Sequence, residues 1–228
     1  MRGRLIVFEG TEGAGKSTQL ELLLRALQGA GVQAASFREP GGTPPGDAIR
    51  RLLLDPSSQL SAATEALLFM ASRAELCERE LRPALDRGLV VLLDRFFLST
   101  YAYQIAGRGL PESGIRAANL LATGALVPDL TILLDHPAAE GLERAAAARG
   151  GRDRMEQATG DFHERVAAAF RGFTTAEWMR AHPEVGPVVR VDAIGSREDV
   201  FERVLDALEA RLPGEFGALR SPAAPRAS

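Results

Sequence analysis

The sequence predicts a three-layer α/β domain, a five-stranded parallel sheet with helices on both faces. Short apolar runs alternate with segments whose apolar residues recur at helical spacing, and the first run passes through a glycine-rich loop straight into such a segment. The residues that close the apolar runs are polar, as expected where a parallel sheet gathers its functional groups at the carboxyl ends of its strands.

Residues 5–8 form the first strand, and Leu20, Leu23, Leu24 and Leu27 mark the buried face of the helix that follows. Runs 34–37, 89–93, 130–134 and 188–191 are the remaining strands. Helices are expected over 46–54, 61–80, 99–106, 112–123, 137–149, 160–181 and 197–211. Ser61 and Ser196 stand as N-caps, Pro137 at a first helical position, and Gly124 just past a C-terminus. No internal repeat is seen. Residues 1–212 read as one domain; 213–228, which open with Pro-Gly and close with Ser-Pro-Ala-Ala-Pro-Arg-Ala-Ser, read as a flexible tail with nothing to bury.

Composition narrows the partners. The 228 residues suffice for a single domain with a sizeable core, and a net charge of -3 argues against a nucleic-acid surface. Cys77, the only cysteine, excludes an internal disulfide and reads as a packing thiol. No apolar run approaches the roughly 20 residues of a membrane span, and the short stretch before the first strand leaves no room for a signal peptide. The expected location is cytoplasmic. His136, His163 and His182 are too scattered for a metal site or triad; Trp178 with Phe162, Val166, Phe170 and Phe173 suits helix packing.

The chemistry begins at Gly10-Thr11-Glu12-Gly13-Ala14-Gly15-Lys16-Ser17, followed by Thr18, which fits the G-x-x-x-x-G-K-[ST] phosphate loop between a strand and a helix. Lys16 is the only lysine in the chain. Every other basic side chain is arginine, so a compact, mobile ammonium is specifically wanted here. The loop implies a nucleoside triphosphate, with Lys16 reaching its β- and γ-phosphates and Ser17 ligating Mg²⁺. Asp94, at the end of the third strand, is placed to hold the same ion through water, or else to cap the next helix.

A second ligand is suggested beyond Asp94. Arg95, Ser99 and Tyr103 share one side of a helix by four-residue spacing and would form a wall for a phosphate-bearing substrate. Phe69 and Arg73, one turn apart, suit a nucleobase, although spacing alone favours Phe69 in the core and Arg73 in solvent. The variable loop positions Thr11, Glu12, Gly13 and Ala14 contain no cation, so further positive charge must come from elsewhere. Arg149-Gly150-Gly151-Arg152-Asp153-Arg154 reads as a short basic lid over about 147–157, or as a solvated charge run.

Taken together, segments 8–18, 38–43 (Arg-Glu-Pro-Gly-Gly-Thr), 67–73, 94–104 and 149–156 resemble the bacterial thymidylate kinases, nucleoside monophosphate kinases of the P-loop kinase fold. The resemblance extends over residues 3 to about 210. It implies transfer of phosphate from ATP to dTMP, giving dTDP for dTTP synthesis, with Mg²⁺ and in a homodimer. It further implies that Phe69 stacks on thymine, that Arg73 donates to O4, and that Arg38 and Arg95 bind the acceptor phosphate. Ser99 and Gln104 would lie near the base, Tyr103 against the deoxyribose, and Glu12 near the 3′-hydroxyl and the reacting phosphates. In one subclass the catalytic arginine comes from the lid. Arg149 is the first choice for that role and Arg154 the second, both as contacts to ATP; the 192–196 loop would hold adenine.

Transfer would be direct and in line, because an ionised acceptor phosphate needs no strong base. Lys16, Mg²⁺ and arginines, Arg95 and Arg149 among them, would spread the developing charge. A nucleotide-dependent switch that reads guanine through Asn-Lys-x-Asp is excluded by the single lysine; a deoxynucleoside kinase, or another monophosphate kinase, would differ in its acceptor cradle.

Overall fold

A computed structural model of the chain describes residues 2–149 and 153–220. Its strands are β1 (Leu5–Glu9), β2 (Ala34–Arg38), β3 (Val90–Asp94), β4 (Leu130–Asp135) and β5 (Val188–Asp192). They form one parallel sheet in the order β2-β3-β1-β4-β5. Each strand runs one polar residue beyond the predicted apolar run, so Glu9, Arg38, Asp94, Asp135 and Asp192 line the carboxyl edge. The register sets Asp94 directly between Phe8 and Arg38.

Alternation along β1 divides the core in two. Leu5 and Val7 face a cluster that includes Leu76, Leu81, Phe97, Phe162 and Phe170; Ile6 and Phe8 face one built with Leu23, Leu27, Val204 and Leu208. The second face is covered by α1 (Lys16–Gly29) and α10 (Arg197–Arg211). The remaining helices are α2 (Pro44–Leu54), α3 (Ala62–Leu76), α4 (Arg82–Asp86), α5 (Phe97–Thr100), α6 (Glu112–Thr123), α7 (Ala138–Arg149), α8 (Gly160–Gly172) and α9 (Ala176–Ala181).

Most cap signals act as expected. Ser61 Oγ accepts from the Thr64 N–H, Ser196 and Asp199 form a reciprocal capping box, and Gly124 ends α6 at φ 53°. Pro137 instead precedes α7, and its carbonyl accepts from the Gly141 N–H at 3.1 Å. Three predicted helices differ in course. The 61–80 segment passes from α3 into a π-helical stretch, Cys77–Leu81, and on into α4; the 99–106 segment starts earlier, at Phe97, and is π-helical over Tyr101–Gly107. The 160–181 segment breaks at Phe173, because Thr175 turns its hydroxyl onto the Trp178 N–H at 3.3 Å and starts α9.

The tail also departs from expectation. Phe216 is buried in the core beneath α10, and Glu215 grips Arg4 with two bonds of 2.8 and 2.5 Å, so the chain beyond residue 212 does have something to bury. Residues 221–228 lie outside the described residues. Cys77 is buried, and burial pushes its thiol up to about 12, as befits an inert packing group. His182 is buried between the Trp178 carbonyl at 2.7 Å and Glu112 at 3.0 Å, a structural role. Among the described residues no helix is long and apolar enough to cross a membrane.

Candidate active site

The phosphate loop joins β1 to α1 and leaves the helix N-terminus open. Gly15, at φ 89°, occupies the N-cap and offers no side-chain acceptor to the first N–H groups of α1. Those donors and the helix dipole suit an anion. Nearby, the Thr11 hydroxyl is buried with no hydrogen-bond partner, an orphan that a bound group would satisfy. Lys16 folds back over the loop, donating to the Gly10 and Thr11 carbonyls at 3.1 and 2.7 Å. Burial, with Arg95 beside it, brings its ammonium down to about 8.

Gly13 must be glycine for two reasons. Its φ is 66°, and a Cβ there would fall 2.0 Å from the carbonyl oxygen of Gly141; a Cβ on Gly141 would fall 2.2 Å from the Glu12 carbonyl oxygen. The two glycines interlock, and this seats α7 directly on the loop.

The other wall is built by a strained turn after β3. Arg95 adopts φ 72°, a left-handed conformation unusual for a non-glycine residue. It is held there by its own N–H, bonded to the Phe8 carbonyl at 2.9 Å, and by the buried carboxylate of Glu9. Glu9 accepts from the N–H groups of Phe96 and Ser99 at 2.7 and 3.1 Å and from the Ser99 hydroxyl at 2.7 Å. Glu9, not Asp94, thus supplies the cap of this turn. Asp94 is left to pair with Ser17, whose hydroxyl donates to Oδ2 at 2.7 Å.

Arg95 reaches Ser99 Oγ at 2.9 Å, the Gly10 carbonyl at 3.1 Å and Glu12 at 3.4 Å, and its guanidinium lies 5.3 Å from the centre of the Tyr103 ring. Tyr103 in turn donates to Glu12 Oε1 at 2.6 Å. Burial raises the Glu12 carboxyl, but the charges of Arg95 and Lys16 and the Tyr103 hydroxyl outweigh it and hold the group below the usual carboxylate range. The four-residue spacing of Arg95, Ser99 and Tyr103 therefore does bring them together, with Ser99 on Arg95 and Glu12 shared by Arg95 and Tyr103.

These walls enclose a cleft of about 360 Å³. The predicted residues that line it are Glu12, Gly13, Lys16, Ser17, Arg38, Phe69, Arg73, Asp94, Arg95, Ser99, Tyr103 and Gln104. Phe69 is half-buried at its edge and Arg38 is exposed at its mouth, whereas Thr18 faces solvent on α1. Neither half of the core-and-solvent alternative holds, since Phe69 lines the cleft and Arg73 is only 2 % exposed.

Arg73 is more heavily engaged than expected. Its Nε donates to both Glu39 oxygens, its Nη2 to Glu39 and the Phe96 carbonyl, and its Nη1 to Thr100 and Asn119. All five N–H groups have protein acceptors, so a base carbonyl would have to share one of them. Arg154 is anchored by its guanidinium. Its Nε donates to the Leu53 carbonyl at 2.7 Å and its Nη2 to Glu65 at 2.7 Å. Residues 150–152, with Arg152, lie outside the described residues, and Arg149 closes α7.

Sequence reading missed Glu9, Glu39, Glu65 and Arg50. Arg50 lines the cleft with its Nη1 on the Pro40 carbonyl at 2.8 Å; burial and the nearby Arg38 lower its proton affinity. Its position one turn before Leu54 in an amphipathic helix carried no signal of a site, because an exposed arginine would give the same pattern.

A phosphate loop facing an arginine-lined cleft at the switch point of a parallel sheet is an arrangement for phosphoryl transfer between two ligands. The sequence model described as thymidylate kinase matches residues 8–182. A thymidylate kinase of Thermomicrobium roseum is 47 % identical over 192 residues, 83 % of this chain and 91 % of the relative. One from Deinococcus radiodurans is 49 % identical over 179 residues, covering 78 % and 86 %, and one from a Synechococcus strain 46 % over 210 residues, covering 91 % and 95 %. With the fold, the loop and the cleft in agreement with these matches, the chain belongs to the thymidylate kinase family.

Proposed function

We propose that the protein phosphorylates dTMP to dTDP with ATP and Mg²⁺, acting in the cytoplasm as a homodimer without nucleic-acid or membrane partners. The observation that carries this reading is the single cleft in which Lys16 and the open end of α1 face Arg38, Arg95, Phe69 and Gln104. The donor phosphates would take the loop N–H groups and Lys16. The acceptor phosphate would take Arg38 and Arg95, with its base against Phe69 and its sugar beside Tyr103 and Glu12.

The donor set suits the metal. Ser17 Oγ and Asp94 Oδ2 are two oxygens at the mouth of the loop, and among the described residues no group of three or more His, Cys, Asp or Glu gathers as a metal cage. Mg²⁺ keeps several waters and needs few protein ligands when phosphates supply the rest. Bound there, it supplies positive charge to the β- and γ-phosphate oxygens. The chain's own residues fix the two ligands in line and exclude water, and no residue takes a covalent phosphate.

Exposed leucines support assembly of two copies. Leu67 on α3 and Leu121 on α6 are 63 % and 87 % exposed on neighbouring helices, an unusual position for large apolar side chains.

The titration of Lys16 gives a pH test with two opposite signs. In the ligand-free protein its ammonium loses its proton near pH 8 instead of the ordinary 10.5, so kcat/KM for ATP is expected to fall above about pH 8. ATP phosphates restore the charge, so kcat should not fall in step. Between the same two values the unfolded chain holds more protons than the folded one, so this group's contribution to stability rises with pH as activity declines. A kcat/KM profile flat to pH 10 would contradict the assignment.

The function itself is tested by a coupled ADP-release assay with ATP, Mg²⁺ and each nucleoside monophosphate in turn. Turnover of dTMP well above dCMP, dGMP and dAMP is expected. Equal turnover of thymidine would replace this reading with a nucleoside kinase.

A further inference from the structure

Glu65 stands on α3, one turn before Phe69, and is only 1 % exposed. A carboxylate so far from water is costly unless every lone pair finds a donor. Here Oε1 accepts from Gln104 Nε2 at 3.1 Å and Arg108 Nε at 3.1 Å, while Oε2 accepts from Arg108 Nη2 at 2.9 Å and Arg154 Nη2 at 2.7 Å. Burial raises the carboxyl, but these donors outweigh it and hold the group below its usual range.

The donors come from two different parts of the molecule. Gln104 and Arg108 belong to the π-helical wall after β3 and its exit, and Arg108 lies 4.5 Å over the ring of Phe162 on α8. Arg154 is the last arginine of the basic run and leads into the segment that follows it. Its backbone N–H reaches the Leu54 carbonyl at 3.2 Å, and its Nε reaches Leu53, so it ties that segment to the end of α2.

The pairing also fixes the sense of an amide. An ionised carboxylate only accepts, so Gln104 must turn its NH₂ toward Glu65, which leaves its carbonyl oxygen as the end available to the cleft that Gln104 lines. An acceptor in that place complements a base bearing an N–H at position 3, as thymine and uracil do. Cytosine, with a lone pair there, would face oxygen against nitrogen lone pair.

We propose that Glu65 is a positioning residue: it orients Gln104 as an acceptor toward the base and, through Arg154, locks the segment after the basic run to the same wall. The inference rests on the cleft being the nucleotide acceptor site. Selection of the base and order at the lid's far end then depend on one buried carboxylate.

The test is Glu65→Gln in the full-length protein, with Arg154→Met beside it. Glu65→Gln is expected to raise KM for dTMP about 10-fold with a smaller change in kcat, and to lower the dTMP over dCMP preference in kcat/KM by a similar factor. In the ligand-free protein, amide exchange over 153–158 should quicken in both variants to a similar extent. A Glu65→Gln protein that melts earlier yet keeps wild-type KM, base preference and exchange would overturn the proposal, leaving Glu65 a packing residue. Should Glu65→Gln fail to fold, Arg154→Met alone decides through exchange, with wild-type protection counting against the tie. If the wild-type enzyme does not turn over dTMP, the proposed function fails on that result, while exchange in the ligand-free variants still decides whether Glu65 holds the segment.

Discussion

Arg149→Ala is expected to lower kcat with dTMP by about 10³-fold while leaving dTMP binding nearly unchanged, the scale on which a transition-state arginine acts. Three observations lead there. The variable positions of the phosphate loop carry no cation. Arg154, the other named candidate, has its guanidinium committed to Leu53 and Glu65. And α7, which ends at Arg149, is seated on the loop by the interlocked Gly13 and Gly141. Turnover under saturating ATP and dTMP, with dTMP affinity measured separately by calorimetry, separates the chemical role from binding. An unchanged kcat would remove Arg149 from the mechanism.

Lys16→Met should reduce kcat/KM for ATP by about 10³-fold, comparable to the loss of one preorganised donor from an anion site. Stability should move the other way. Burial depresses the Lys16 ammonium to about 8, so at neutral pH the charged side chain disfavours the folded state, and an apolar replacement of similar length relieves that cost. The expected pattern is a Tm equal to or above wild type with activity almost gone. Lys16→Arg is the companion variant. A chain that uses arginine at every other basic position yet keeps lysine here needs a point charge able to leave the Gly10 and Thr11 carbonyls for a phosphate, and a planar guanidinium does not fit that task. Substantial rescue by arginine would contradict this account of the loop.

Much of the fold was legible because it depends on local pattern. Apolar runs gave all five strands within a residue, and Ser61, Ser196 and Gly124 marked true helix ends because caps act on their own neighbours. The π-helical stretches at Cys77–Leu81 and Tyr101–Gly107 were not visible, since no residue type in either run marks a change from i→i+4 to i→i+5 bonding. Phe216 was lost behind Pro-Gly, a breaker signal that says nothing about what a later aromatic side chain touches. At the site, the residues expected to share a helix side came together, as Arg95, Ser99 and Tyr103 do. What spacing could not carry were pairings across the sheet edge: Glu9 beneath the Arg95 turn, Glu39 on Arg73, Glu65 on Arg154. Each joins segments far apart in the chain, and a lone glutamate in an apolar helix reads as solvated until its donors are known.

On this reading donor and acceptor phosphates meet in one cleft between the phosphate loop and the Arg95 turn. A crystal structure with dTMP and a non-hydrolysable ATP analogue tests it most directly. The analogue's terminal phosphate is expected on Lys16 and the loop N–H groups, with a dTMP phosphate oxygen held by Arg38 and Arg95 in line and about 3–3.5 Å from the terminal phosphorus. A monophosphate bound outside this cleft, or a terminal phosphate turned away from Arg95, would contradict it.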